Sequence, residues 1–355
     1  MKKPHTVYIH LIVVCLLFSN CYGGARIIGK KAERPLNIIL MIGDGMGLAQ
    51  ISAAAVVNGG LSLELFECIG LVKTSSSDDY ITDSAAGATA YSTGQKTYNG
   101  AIGLGPDSAA LKTILELAEA RGMATGLIAT CSVTHATPAA FYAHQKSREM
   151  HLEIAGDFYG KGIDFVAGSG KPFFSTERLI QDGYRVHTGQ ISPEYVNAGK
   201  KLFWFYNDST DLPRAPERGN WLMTASVQGI KHLSNNKKGF FMMVEGSQID
   251  WGGHDNNAAY TVNELIDFDK AVKAALDFAM QDGNTLVIVT ADHETGGLSL
   301  NGGNLKNKTV ETHYASTHHS GIMVPVYAFG PGANLFTGTM ENTKLFSNMK
   351  QLLGL

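Results

Sequence analysis

Residues 36–45 read LNIILMIGDG, a near-continuous apolar run from Leu36 to Ile42 that closes on Gly43-Asp44-Gly45. A strand with one wet face alternates apolar and polar residues, whereas an unbroken apolar run fits a strand buried on both faces, the habit of a parallel sheet covered by helices. The same pattern repeats outward along the chain. Leu111–Arg121 places Leu111, Ile114, Leu115 and Ala118 on one helical face and stops at Gly122, and Ala124–Thr130 (ATGLIAT) follows as a strand. Trp221–Leu233 reads as a helix before the strand Gly239–Val244 (GFFMMV). Tyr260–Met280 keeps the 3.6 period through Val262, Leu265, Phe268, Val272, Leu276 and Ala279. Leu286–Thr290 and Val324–Phe329 are further strands, and Thr343–Leu353 is a terminal helix. Alternating strands and helices predict an α/β fold with a mostly parallel central sheet flanked by helices on both faces. Residues 156–220 are less regular and read as an insertion.

Composition narrows the function classes. Of 355 residues, 44% are hydrophobic and 17% charged, enough for a large core and too apolar for a disordered chain. With 29 basic against 32 acidic residues the net charge is −3, and no basic stripe of the kind nucleic-acid binders carry is present. Met1-Lys2-Lys3 followed by the apolar Val7–Phe18 fits an export signal over residues 1–25, and the run is too short for a spanning helix. Cleavage follows Gly23-Gly24-Ala25, or alternatively Cys21 becomes a lipid-modified N-terminus. The chain is thus read as exported, periplasmic or lipid-anchored at the cell envelope, with residues 26–355 as a single catalytic domain. Cys68 and Cys131 remain, and their apolar contexts suggest buried thiols rather than a disulfide framework.

In an open parallel sheet, ligands bind beyond the carboxyl ends of the strands. Here four strands run into Asp44; into His135-Ala136-Thr137; into Glu245, Asp250 and His254; and into Asp292-His293-Glu294. So many carboxylates and imidazoles just past buried strands mark a site. Carboxylate with imidazole suits zinc, and an all-oxygen set of Asp, Thr and Glu suits magnesium. Asp250 and His254 are one helical turn apart and can reach one ion. Asp292 and His293 are adjacent, so they share an ion only if the backbone turns there, which Gly296-Gly297 favours. The ligands exceed one tetrahedral shell, so more than one ion is expected. In Thr82-Asp83-Ser84-Ala85-Ala86-Gly87 a helix begins with Asp83 or Ser84 near its cap. A Ser there faces unpaired amides that favour an anion such as phosphate, although Ser is also a common plain cap. Metals nearby raise it to a nucleophile candidate, since no Ser-His-Asp signature or Gly-x-Ser-x-Gly surrounds it.

Six blocks in order, IGDGMG (42–47), TDSAAGATAYSTG (82–94), HATPAAFYAH with SR (135–148), VEGSQIDWGGH (244–254), TADHETGG (290–297) and HSGIMVPVYAFGPGA (319–333), resemble the alkaline phosphatases from about Asn37 to the C-terminus. The resemblance implies a phosphomonoester hydrolase working through a phosphoserine at Ser84. It implies two Zn2+, one held by Asp250, His254 and His319, the other by Asp44, Asp292 and His293. It also implies one Mg2+, or another divalent ion, between Asp44, Thr137 and Glu245. Arg148 matches the guanidinium that clamps two phosphate oxygens. The residue types alone do not separate His318 from His319; alignment with the family block selects His319. His144, His151, His187, His232 and His313 read as structural or exposed imidazoles. His135 stands where many bacterial members carry Asp, and Trp251 where they carry Lys or His, so these two are expected to tune the third ion and to weaken product affinity. The short interval from His293 to His319 leaves no room for the large surface domain of the animal enzymes. Small phosphomonoesters as substrates and a homodimer are family expectations. Phosphodiester or sulfate-ester cleavage on the same scaffold, and a non-catalytic exported metal- or phosphate-binding lipoprotein, are the alternatives.

Overall fold

β1 (Asn37–Gly43) is buried at every residue and lies within the sheet that organises the chain. The computed structural model describes residues 35–191 and 201–355, so the export signal read over residues 1–25 and the lipid anchor at Cys21 lie outside the described residues. β1 pairs in parallel with β7 (Phe240–Gly246) on one side and β8 (Thr285–Thr290) on the other. Ile42 sits opposite both Glu245 and Thr290, so all three strands end level with one another. Beyond β7 come β3 (Ala124–Ser132), β4 (Phe165–Ser169), β6 (Leu202–Phe205) and β5 (Arg185–Thr188), all parallel. Beyond β8 come β13 (Val324–Phe329), β2 (Cys68–Lys73) and β14 (Gly338–Glu341). β13 is antiparallel to both of its neighbours, so the ten-stranded sheet is mostly parallel.

The sequence of residues 156–220 is irregular, yet strands form within it. Their described part carries β4, β5 and β6, which extend the central sheet. These strands are only four or five residues long, and Phe203, Trp204 and Phe205 bury large rings rather than repeating a periodic pattern. Their shortness leaves no period for the sequence to display.

The helix Ala258–Asp282 shows how local chemistry sets an element. Asn257 caps it by accepting from the Tyr260 amide at 3.0 Å, and Gly283 ends it at φ 71°. Its buried stripe includes Leu265, Phe268, Val272 and Leu276, each contributing roughly 1.5–3 kcal/mol by leaving water. That stripe packs on β7 and β8 and on the helix Trp221–Leu233. Two smaller pairings complete the described strands: the hairpin β10 (Leu298–Asn304) with β11 (Thr309–Tyr314), and the two-residue β9 (Glu294–Thr295) with β12 (His319–Ser320). Among the described residues no helix is long and apolar enough to cross a membrane.

Candidate metal centre

Three adjacent strands deliver their acidic groups to one pocket. Asp44 follows β1 at once, Glu245 is the last residue but one of β7, and Asp292 with His293 follow β8, where the chain bends out of the strand. All four are buried. The bend lets adjacent Asp292 and His293 face one point: His293 Nε2 is 3.2 Å from Asp292 Oδ2 and 3.4 Å from Asp44 Oδ1. Gly45 makes this packing possible. It takes φ +71°, its amide donates to Asp292 Oδ1 at 3.2 Å, and a Cβ there would stand 2.8 Å from Asp250 Cα.

A second cluster adjoins the first. One ligand atom from each of Asp250, His293 and His319 lies within 4.8 Å of the others, as do those of Asp44, Asp292 and His293. Asp250 and His254 share the helix Gln248–His254, and His254 Nε2 reaches to 3.3 Å from Asp250 Oδ2 and 3.2 Å from His319 Nε2. Of the two histidines left open by residue type, His318 is exposed while His319 turns into the cluster.

The imidazole orientations follow from their outer partners. His254 Nδ1 donates to the Thr317 carbonyl at 2.6 Å and His319 Nδ1 to the Thr82 carbonyl at 2.9 Å, because a carbonyl can only accept. Thr295 Oγ1 donates to Asp250, so toward His293 Nδ1, 3.3 Å away, it accepts. All three rings therefore turn Nε2 inward, where it offers a lone pair once it carries no proton. Two such nitrogens 3.2 Å apart beside a carboxylate call for a proton or a metal cation between them.

The oxygens tell the same story. Asp44 Oδ1, Asp292 Oδ2, Glu245 Oε1 and Thr137 Oγ1 are buried without a hydrogen-bond partner, an arrangement costing about 1–3 kcal/mol per group unless an ion satisfies them. Burial, reinforced by the Asp292 charge, pushes Glu245 up to about 7. Burial and the Asp250 charge push Asp292 up to about 6, and burial with three neighbouring carboxylates raises Asp44 well above the usual range. The hydrogen bond to Asp250 lifts His254 to about 9. The donor set therefore fits divalent cations: mixed imidazole and carboxylate where zinc binds, and carboxylate with hydroxyl where magnesium binds.

Ser84 is the first residue of the helix Ser84–Thr93, and its Oγ lies 3.2 Å from His293 Nε2. The helix is buried on all sides, which its Ala, Gly, Ser and Thr composition permits, and Tyr91 ties it to the end of β8 by donating to the Ala291 carbonyl at 2.5 Å. Asp83 caps it, accepting from the Ala86 amide at 2.9 Å with one oxygen. The other oxygen accepts from Gly100 N at 3.0 Å and from Arg148 Nη1 at 3.1 Å, so the cap also holds the guanidinium, on its turn, near Ser84.

The sequence profile of the alkaline phosphatase family matches residues 36–164 and 206–311. The chain is 36% identical to alkaline phosphatase 4 of Bacillus subtilis, covering 94% of each, and 35% identical to alkaline phosphatase of Escherichia coli, covering 90% of this chain and 86% of that one. The chain belongs to the alkaline phosphatase family. Its fold superimposes on the alkaline phosphatase of the Antarctic bacterium TAB5 with a TM-score of 0.86 at 41% identity, covering 91% of this chain and 98% of that one. Variants of the TAB5 enzyme with a histidine replaced by Glu or Asp hold Mg in a site called M3.

Within this family frame, His135 and Trp251 stand ring to ring, with centroids 5.8 Å apart, and burial followed by the Arg148 charge pushes His135 down to about 4. The other histidines have separate duties. His144 bonds Gly103 O and Glu116, and His151 bonds Thr134 Oγ1 and stacks on Phe173. Sequence reading missed the Asp83–Arg148 contact, although the cap signal was visible. It also missed Thr295, whose hydroxyl joins Asp250 to His293; no spacing rule announces such a contact.

Proposed function

We propose that this chain hydrolyses phosphomonoesters to alcohol and inorganic phosphate through a phosphoserine at Ser84. The observation that carries this is a buried hydroxyl 3.2 Å from an inward-facing imidazole nitrogen, beside unpaired carboxylate oxygens and a guanidinium. Asp250, His254 and His319 would hold one Zn2+ and Asp44, Asp292 and His293 the other. Asp44, Thr137 and Glu245 would hold Mg2+ or another divalent ion, with His135 and Trp251 beside it. Bound metals of this kind lower the pKa of an attached oxygen and offset charge on attacking and leaving groups.

The chain's own groups set the geometry. Helix packing fixes Ser84, so its oxygen attacks phosphorus from one side and the alcohol leaves on the other. Arg148, steadied by Asp83, spans two non-bridging oxygens, where negative charge spreads in a loose transition state. Water then attacks the phosphoserine from the vacated side, and Ser84 departs with phosphate released. Burial of Asp44, Ser84, Asp292 and His293 keeps the reacting charges in a low-dielectric setting, where these contacts are stronger than in water.

Export by residues 1–25, with cleavage or a lipid anchor at Cys21, and a single catalytic unit over 26–355 belong to the same reading. Tyr80, Ile322 and Met323, exposed and joined through the Tyr80 hydroxyl bonding Gly321 O at 3.1 Å, support a homodimer face; light scattering of the purified protein tests it. The main test is metal content together with Ser84→Ala. Three divalent ions per chain, phosphate release from a chromogenic monoester and acid-stable phosphoserine at Ser84 are expected. Undiminished release by Ser84→Ala would refute the nucleophile.

A further inference from the structure

Glu294 follows His293 but faces away from its cluster, and it is 3% exposed. Its carboxylate gathers four donors, none of them charged. One oxygen accepts from Gln50 Nε2 at 2.7 Å and from Leu298 N at 3.0 Å. The other accepts from Gly297 N at 3.2 Å and from the Ser320 hydroxyl. Ser320 is the residue after His319.

This matters because His319 is weakly tethered by its own backbone. It sits on the two-residue β12, whose ladder partner among the described residues is the two-residue β9, and residues 317 and 318 just before it are exposed. An antiparallel pair this short has little stability of its own. Side-chain bonds must supply what the ladder cannot. Thr82 O steadies the ring, and the Glu294–Ser320 bond clamps the backbone from the opposite strand. Gln50 completes the clamp by donating from one amide nitrogen to both Glu294 and the Thr295 carbonyl at 2.8 Å.

We propose that Glu294 is a positioning residue for His319: its carboxylate, through the Ser320 hydroxyl, holds β12 so that His319 Nε2 stays beside Asp250 and His254. This rests on the metal reading above, and adds a residue that touches neither substrate nor ion. Groups that orient a metal-bound imidazole are typically worth about 10–100-fold in metal affinity, and a clamp one residue removed is expected at the lower end, about tenfold.

Zinc retention by the full-length protein tests this, titrated against a chromogenic chelator for wild type, Ser320→Ala, Ser320→Thr and Glu294→Gln. Ser320→Ala deletes only the hydroxyl, so it keeps Glu294's other bonds and folds. The expected result is a weakening of about tenfold for one of the two zinc ions in Ser320→Ala, recovery in Ser320→Thr, and an intermediate or larger loss in Glu294→Gln. Thermal unfolding of the metal-stripped proteins is the control, and the stripped Ser320→Ala midpoint is expected to match wild type. Wild-type retention of both ions in Ser320→Ala and Glu294→Gln overturns the proposal and leaves the metal reading intact. Equal weakening of both ions alongside a lower stripped midpoint overturns it too, as plain destabilisation. A wild type that takes up no zinc overturns the metal reading and the clamp together.

Discussion

Stripping the metals should make stability fall with rising pH over the range from pH 6.5 to 8.5. Burial holds Glu245 at about 7 instead of an ordinary 4.5, and Asp292 at about 6 instead of 3.8, once no ion is present. A carboxyl whose pKa is raised by folding favours the folded state while protonated, and loses that advantage as pH rises through its folded value. Each tenfold change in proton affinity corresponds to about 1.36 kcal/mol. Between pH 6.5 and 8.5 Glu245 gives up the last of its advantage, and His254, lifted to about 9 from an ordinary 6.5, gives up most of its own. Buried His135 and His293, pushed down by folding, act in the opposite direction chiefly below pH 6.5. The net loss over this window is on the order of 2 kcal/mol. With an unfolding entropy near 2.1 cal/mol/K per residue, a chain of 355 residues should show a Tm lower by about 3 °C at pH 8.5 than at pH 6.5. Calorimetry of chelator-treated protein across that range measures it, with zinc and magnesium added back as the control. In the reloaded protein the drop should vanish, because the carboxylates are then held ionised. A stripped protein whose Tm stays level or climbs from pH 6.5 to 8.5 would refute the reasoning: the clustered groups would have to be relieved by something other than ions.

Asp83→Ala removes both the helix cap and the partner of Arg148, so kcat/KM for a monoester should fall about 10–100-fold and stability by about 1 kcal/mol; unchanged kinetics would show that the guanidinium needs no anchor. Arg218→Ala should cost about 3–5 kcal/mol in denaturant unfolding, because it strands buried Glu264 and Asp267 without their shared cation; a loss under about 1 kcal/mol would contradict that. Glu116 is burdened by burial, but hydrogen bonds from His144, Lys161 and the Thr113 amide outweigh it and hold the carboxyl down at about 2. Its stabilisation is present above the ordinary 4.5 and fades as pH falls toward 2, so the stability gap between wild type and Glu116→Gln should be widest near pH 6 and close on acidification.

What the sequence disclosed divides along physical lines. β1, β7 and β8 are buried on both faces, so their composition announced them, and the groups just past them could be read as a site. The edge strand β14 and its neighbour β2 were not found, because half-exposed strands of four to six residues carry no distinctive period. Asp250 and His254 were paired by helical spacing, and the turn required between Asp292 and His293 is present. The tautomers of His254 and His319 depend on the Thr317 and Thr82 carbonyls, contacts between segments 63 and 237 residues apart. No local pattern encodes those. Nor does any pattern distinguish Glu294, buried and fully bonded, from an ordinary surface glutamate.

The level ending of β1, β7 and β8 makes the sheet a ruler. Neighbouring strands lie about 4.8 Å apart along the hydrogen-bonding direction, a repeat dictated by the peptide group itself. Asp44, Glu245 and Asp292 inherit that increment from the rows they terminate. Loop changes can therefore exchange one side chain for another, yet the interval separating these acidic groups is written into the backbone and resists drift.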